Sequence, residues 1–269
     1  MSAHDTQPTE PLPDWEHAAA PRRRVWPWLV AFGIVIVLAV VAWFAAEAIA
    51  RQIVTGVVRD QVRSQLALPS EQPIEVAIPG LIVPQLLGGA LHEITIASDD
   101  VEVGEFVGDV SVTAQDVPVQ GGAMGSASAT VSLDEGQLRA LVSTVEAFPA
   151  ESLGIDAPAL TVSTDLQLFG VTVPVGVALT PSAADGDIVL TPTELQLAGT
   201  TVDADGLREQ FGSVADVVLK DWTLCISQYI PAAATLTDVT VEEDRLVADF
   251  DVDGAITVDP ALWQNGTCQ

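Results

Sequence analysis

A chain of 269 residues has room for one sizeable domain and a tail, or for two small domains. Its 37 Asp and Glu against 10 Lys and Arg give a formal net charge of −27, which argues against nucleic acid as a partner. With only two cysteines and three histidines, the composition also argues against a zinc centre.

The charge is unevenly placed. Residues 1–63 hold six basic and six acidic side chains, whereas residues 64–269 hold 31 acids against Arg139, Arg208, Lys220 and Arg245. A domain this acidic repels anionic headgroups at long range, so any lipid it handles is met through apolar contact.

Residues 1–24, rich in Pro and charge, read as a disordered cytoplasmic tail. Val25–Ala46 follows, 22 residues without a charge, about 33 Å long as a helix and enough for a bilayer core. Trp26 and Trp28 stand at one end and Trp43 and Phe44 at the other, as interfacial aromatic belts do. Arg22, Arg23 and Arg24 precede the span and place the N-terminus in the cytoplasm, with everything after residue 47 outside. A cleaved signal peptide is the rival reading, because Ala46-Glu47-Ala48 fits an A-x-A site. The apolar run exceeds the roughly 7–15 residues of a signal core, so residues 25–46 are assigned as a single transmembrane anchor.

Residues 47–68 predict a helix: Val54, Val58, Val62 and Leu66 recur four apart, and Pro69 ends it. Pattern alone leaves open whether it prolongs the span or packs on the sheet that follows. The next stretch, "IEVAIPGLIVPQLLGGALHEITI" (74–96), has no full charge between Glu75 and Glu93. Pro79, Gly80, Pro84, Gly88 and Gly89 forbid a second spanning helix. It is either core, as a strand, a turn and a short helix, or an apolar lip facing lipid.

Beyond it the chain is mostly β. "VTAQDVPV", "SATVSLD", "LTVSTDLQLFGVTVPVGVAL", "DIVLTPTELQLAG", "ATLTDVTVEEDRLVADFDV" and "AITVD" alternate with period two, and short Asp-, Gly- and Pro-bearing turns predict antiparallel pairing. Two amphipathic helices interrupt, over 134–147 and 204–220, with Leu138, Leu141, Val142 and Val145 on one face of the first. Leu207, Phe211, Val214 and Val218 share a face of the second. Residues 47–269 are read as one α+β domain. Its two cysteines, Cys225 and Cys268, fall outside the membrane, where an oxidising compartment favours joining them. The bridge is worth about 4 kcal/mol by loop entropy.

Catalytic chemistry is thinly represented. His92 is the one histidine after the span, and no G-x-S-x-G stretch accompanies it. Asp203-Ala204-Asp205-Gly206 and Asp251-Val252-Asp253-Gly254 miss the calcium-loop pattern and read as turns. Asn265-Gly266-Thr267 matches a glycosylation sequon, a common tripeptide. Carboxylate pairs keep a cell-wall hydrolase open as the weakest of three readings. What stands out is apolar surface: mean hydropathy is +0.38 despite the acids. A curved sheet with few large aromatics leaves room for an acyl chain, unless the helices at 134–147 and 204–220 fill the concavity.

An N-terminal membrane segment and an amphipathic helix lead into "IEVAIPGLIVPQLLGGALHEITIASDDVEV", and "YIPAAATLTDVTVEEDRLVADFDVDGAITV" comes late in the chain. Over roughly residues 47–260 this resembles the actinobacterial LmeA-like phospholipid-binding family of exported or membrane-anchored cell-envelope proteins. The resemblance implies a tubular lipid-binding type of fold: a long N-terminal helix packed on a strongly curved antiparallel β-sheet, with additional short helices and a lipid groove between. It also implies phosphoinositide-class or other phospholipid ligands and support of envelope glycolipid synthesis such as that of lipomannan; with so thin a catalytic inventory, the chain is read as a non-enzyme without cofactor. The scarcity of Lys and Arg departs from basic recognition of a phosphate, leaving backbone groups around Gly88-Gly89 or Gly121-Gly122 for a headgroup. On this reading Leu81, Ile82, Val83, Leu86, Leu87 and Leu91 form the lipid-facing lip. The competing reading is an acidic protein-interaction scaffold that docks envelope enzymes and has no lipid cavity.

Overall fold

The computed structural model describes residues 26–66, 68–69, 71–103, 106–143, 150–168, 171–197, 200–211 and 219–268. Two compact units make up the chain, Met1–Ala46 and Glu47–Gln269. In the first, the described residues are helical, and all are solvent-exposed. They open α1 (Trp26–Leu66), the one helix among the described residues long and apolar enough to cross a membrane.

The second unit begins with the later part of α1, whose Ala50, Val54 and Val58 pack on the β-rich body. Val54 and Val58 of the expected stripe thus face the core, whereas Leu66 at the end of the helix is 45% exposed. β1 (Glu75–Ala77), α2 (Ile82–Gly88) and β2 (Ala90–Val103) follow, so the charge-free stretch is a strand, a turn and a short helix. Gly89, at φ 87°, ends α2 in the left-handed conformation, and its N–H reaches the Leu86 carbonyl at 3.2 Å.

β3 (Phe106–Pro118), β4 (Ser126–Asp134), β11 (Ala234–Glu242) and β12 (Arg245–Val252) complete an antiparallel sheet ordered β1-β2-β3-β4-β12-β11. A second antiparallel sheet, ordered β10-β8-β7-β6-β5, contains β5 (Gly154–Asp156), β6 (Ala159–Leu168), β7 (Val171–Ala184), β8 (Asp187–Leu197) and β10 (Trp222–Leu224). β9 (Thr200–Asp203) pairs with the end of β8. The class is α+β, with two sheets where sequence pattern suggested one curved sheet. β11, an edge strand of the first sheet, lies beside β7 of the second.

Local chemistry explains the joints. Asp185 and Gly186 turn the β7–β8 hairpin at φ 54° and 83°, the left-handed pair that a two-residue hairpin requires. Asp134 caps α3 (Glu135–Val142) by accepting the Gln137 N–H at 2.8 Å, while Gln137 Oε1 accepts the Asp134 N–H at 2.9 Å. Asp203 caps α4 (Ala204–Phe211) by accepting the Gly206 N–H at 2.6 Å, so that Asp/Gly motif is a helix entry. The later parts of both expected helices, 144–149 and 212–218, lie outside the described residues.

"AITVD" is a correction. β12 stops at Val252, and Asp253 accepts the Ala255 N–H at 2.9 Å, starting a 3-10 turn over Gly254–Thr257 instead of a strand. Gly254 is required there, because a Cβ would meet the Met124 carbonyl oxygen at 2.1 Å.

Candidate functional site

Cross-strand register shows what the first sheet offers. Thr95, Thr113, Ser128, Asp251 and Thr235 are successive partners on one face. The next residues along each strand face the other way. There Ile94, Ala114, Ala127, Val252 and Ala234 form one row, and Ile96, Val112, Ala129, Phe250 and Leu236 the next. Ser98, Val110, Val131, Ala248 and Val239 form a third row, and Leu133, Leu246 and Val241 a fourth. The sheet is amphipathic, hydroxyl- and acid-bearing on one side and aliphatic on the other.

The aliphatic face is not uniformly covered. Its first row belongs to a core completed by Ala50, Val54 and Val58 of α1 and by Ile78, Ile82 and Leu91. Its fourth row belongs to a second core with Leu138 of α3, Leu153 and Leu160. Between them Val110, Val112, Ala129, Val131, Ala248 and Phe250 are only half-buried. Same-face rows along a strand lie about 7 Å apart, so two rows on three strands make a short apolar strip. Ala129 stands opposite Phe250, and Ala248 opposite Val131.

The six residues expected to form a lip divide between two environments. Ile82 is 0% exposed and Leu91 5%, and both pack in the first core. Leu86 packs against that core and Val83 is half-buried, while Leu81 is 48% exposed and Leu87 83%. Only Leu81 and Leu87 present themselves to a surrounding phase. The two glycine pairs adjoin: the Gly89 carbonyl accepts the Val119 N–H at 3.1 Å, just before Gly121-Gly122.

Sequence reasoning missed the device that holds α2. Leu81, at its N-cap, has no capping side chain. The Glu47 carboxylate takes that role from 35 residues away, accepting the N–H of Ile82 at 2.6 Å and of Val83 at 3.0 Å. These two backbone donors, with Arg51 adding its charge, hold the Glu47 carboxyl below the ordinary glutamate range against its partial burial. Arg51 donates to the carbonyls of Ile78 and Gly80, both at 2.7 Å. Further along α1, Arg59 donates to the Ile74 carbonyl and Arg63 to that of Gln72, each at 3.0 Å. Three arginines of one helix therefore grip the backbone of residues 72–80. Their spacing of eight and four residues is legible; their acceptors are not, because backbone carbonyls leave no trace in sequence.

Two acids and a cation tie strands elsewhere. Asp109 accepts the Asp100 N–H at 2.9 Å and pairs with Arg245. Burial pushes the Asp109 carboxyl up, but the Asp100 N–H and Arg245 outweigh it and leave it lowered. Cys225 and Cys268 are joined, with a Cα–Cα distance of 5.9 Å. His92 is exposed, and its backbone N–H donates to Gln85 Oε1 at 2.9 Å. A hollow of about 450 Å³, open to solvent, is lined by Gly125, Ser126, Thr235, Asp251 and neighbours. Its walls also include Ala127 and Val252 of the first aliphatic row, but none of the six half-buried residues between the cores.

An α+β domain with two antiparallel sheets, one of them with a partly uncovered aliphatic face, is the class that the geometry defines. A family model for LmeA-like phospholipid-binding proteins matches residues 45–251, and the chain belongs to that family. No curated protein and no solved structure matches the chain.

Proposed function

We propose that this chain is a membrane-anchored, extracytoplasmic phospholipid-binding protein of the cell envelope that carries lipid without chemically altering it. Residues 25–46 anchor it with the N-terminus in the cytoplasm, and the strip between the two cores receives an acyl chain. The observation that carries this reading is the half-buried aliphatic floor of Val112, Ala129 and Phe250, lying on the sheet between the two buried cores. An acyl chain laid there gains about 0.8 kcal/mol for each CH₂ taken out of water. Membership of a phospholipid-binding family supports binding rather than catalysis. Leu81 and Leu87 are the outward part of the lip, touching lipid first. Supply of lipid to envelope glycolipid synthesis is the use that the family resemblance implies.

The test is acyl-chain photolabelling of the full chain in nanodiscs of phosphatidylcholine that carry a diazirine near the end of one acyl chain. Peptides of β3, β4 and β12 should be labelled as well as residues 26–46. Labelling confined to 26–46 would defeat the proposal and favour a scaffold that docks envelope enzymes through its hydroxyl- and acid-bearing faces.

A further inference from the structure

The two ends of the first sheet differ in what they expose. At one end β2, β4 and β11 begin, at Ala90, Ser126 and Ala234, while β3 and β12 stop at Pro118 and Val252. Hydrogen bonds link the segments around this end into one line. Glu47 accepts the N–H groups of Ile82 and Val83 on α2. Past α2, the Gly89 carbonyl accepts the Val119 N–H at 3.1 Å. Thr257 Oγ1 donates to the Gly122 carbonyl at 2.7 Å, and the Met124 N–H donates to that of Gly254 at 3.2 Å. The Trp263 indole N–H donates to the Ile256 carbonyl at 2.9 Å. Along this line Leu81, Leu87, Val119, Val258 and Trp263 are each at least 41% exposed. At the opposite end the β11–β12 turn exposes Glu242, Glu243 and Asp244, with Arg245 engaged by Asp109.

Trp263 does not lie in a fraying terminus. It ends a 3-10 turn over Pro260–Trp263, and the Ala232 and Ala233 N–H groups donate to the Gln264 and Leu262 carbonyls at 2.8 and 3.2 Å. Ile256 is buried, and the Cys225–Cys268 bridge closes the segment. Asp253 and Asp259 fold their carboxylates back onto the Ala255 and Ala261 N–H groups, each at 2.9 Å. Singly exposed apolar side chains are ordinary, whereas several around one end of a domain mark a contact surface. The family match stops at residue 251, so the segment that carries Val258 and Trp263 lies beyond it.

The chain itself says what covers this end. With residues 25–46 spanning, Glu47 emerges at the bilayer surface, and the end of the sheet joined to it is the near one. Tryptophan, with an apolar ring and a polar N–H, is a residue that membrane–water interfaces favour. We infer that the C-terminal segment Gly254–Trp263 is a second membrane contact, docking at the headgroup–acyl boundary through Val258 and Trp263. This rests on the proposed anchor at residues 25–46 and goes beyond it. A single span leaves the domain that follows free to swivel, whereas two points of contact fix its tilt. The acidic β11–β12 turn is then held away from the bilayer, and the α2 side of the strip is held toward it.

The experiment uses the full chain in phosphatidylcholine nanodiscs, whose headgroups carry no net charge. The probe is phosphatidylcholine with a diazirine at an early carbon of one acyl chain, just below the ester. Peptides of 254–264 should be labelled at least about threefold more than the peptide of the β11–β12 turn. Val258→Asp, at an exposed position, should cut the labelling of 254–264 at least about threefold and leave that of 26–46 unchanged. Labelling of 254–264 no stronger than that of the turn, with 26–46 labelled, overturns the inference, leaves the anchor intact and assigns the exposed rim to a protein partner. Labelling of 254–264 that Val258→Asp does not lower overturns it too. Loss of labelling at 26–46 removes the anchor and the inference with it. Lipid in the strip is read separately, by the chain-end diazirine on β3, β4 and β12.

Discussion

The carboxylate of Glu47 lies 2.6 Å from the backbone nitrogen of Ile82 and is the cap that α2 lacks locally. Replacing Glu47 with Ala leaves the N–H groups of Ile82 and Val83 without that acceptor and frees Arg51 from its carboxylate partner. The melting temperature of the domain should fall by about 2–4 °C, with Glu47→Gln recovering part of it. A domain begun at residue 48 should show the same loss as Glu47→Ala.

The same pair gives a pH dependence. The folded Glu47 carboxyl is held below its unfolded value, so its contribution is complete above the ordinary glutamate range and is lost as pH falls through the lowered folded value. Chemical denaturation of the parent and of Glu47→Gln should therefore differ at neutral pH. The two curves should draw together at acid pH below that range. A gap that widens on acidification would contradict the capping role.

Ile82 and Leu87 share one seven-residue helix and should behave oppositely. Ile82→Ala, at a 0% exposed position, should cost about 2–5 kcal/mol. Leu87→Asp, at an 83% exposed one, should leave the denaturation midpoint unchanged while lowering photolabelling by nanodisc lipid. Leu86 packs on the core and is the wrong position for that test.

Ala129 and Ala248 lie in the middle of the strip, and both are half-buried. Ala129→Phe or Ala248→Phe should cover the strip with the protein's own side chain. Strand labelling by acyl diazirine should drop several-fold, with far-UV circular dichroism and melting temperature retained. Undiminished labelling of β4 and β12 would place the lipid elsewhere.

Removing the Cys225–Cys268 link by paired serine substitution opens a loop 43 residues apart in sequence. Loop entropy sets the loss at about 4 kcal/mol. Denaturant midpoints with and without reductant should differ for the parent and coincide for the double variant.

Much of the β architecture is legible because its code is local. The alternation in "LTVSTDLQLFGVTVPVGVAL" yields the paired β6 and β7, and "ATLTDVTVEEDRLVADFDV" yields β11 and β12. Division into two sheets is not legible, since it depends on β12 pairing with β4 across more than a hundred residues. "AITVD" misleads because alternation in so short a run is weaker than one Asp side chain folding back on Ala255. The split between buried and exposed residues in the expected lip is hidden for a related reason. The one polar side chain of this uncharged seven-residue helix, Gln85, is itself buried and so marks no wet side, and Ile82 and Leu87 look alike until the core is seen. In sequence Glu47 reads only as the middle of an A-x-A triplet after an apolar run, and its acceptor role is visible only when residues 82 and 83 come near.

The acid surplus has a colloidal consequence. An aliphatic strip open to water would ordinarily be quenched by a neighbouring molecule of the same kind, strip against strip. At neutral pH the charge of −27 makes that encounter repulsive, which keeps copies of the chain apart in solution. Near the isoelectric point of about 4.1 the repulsion vanishes, and the molecules should clump.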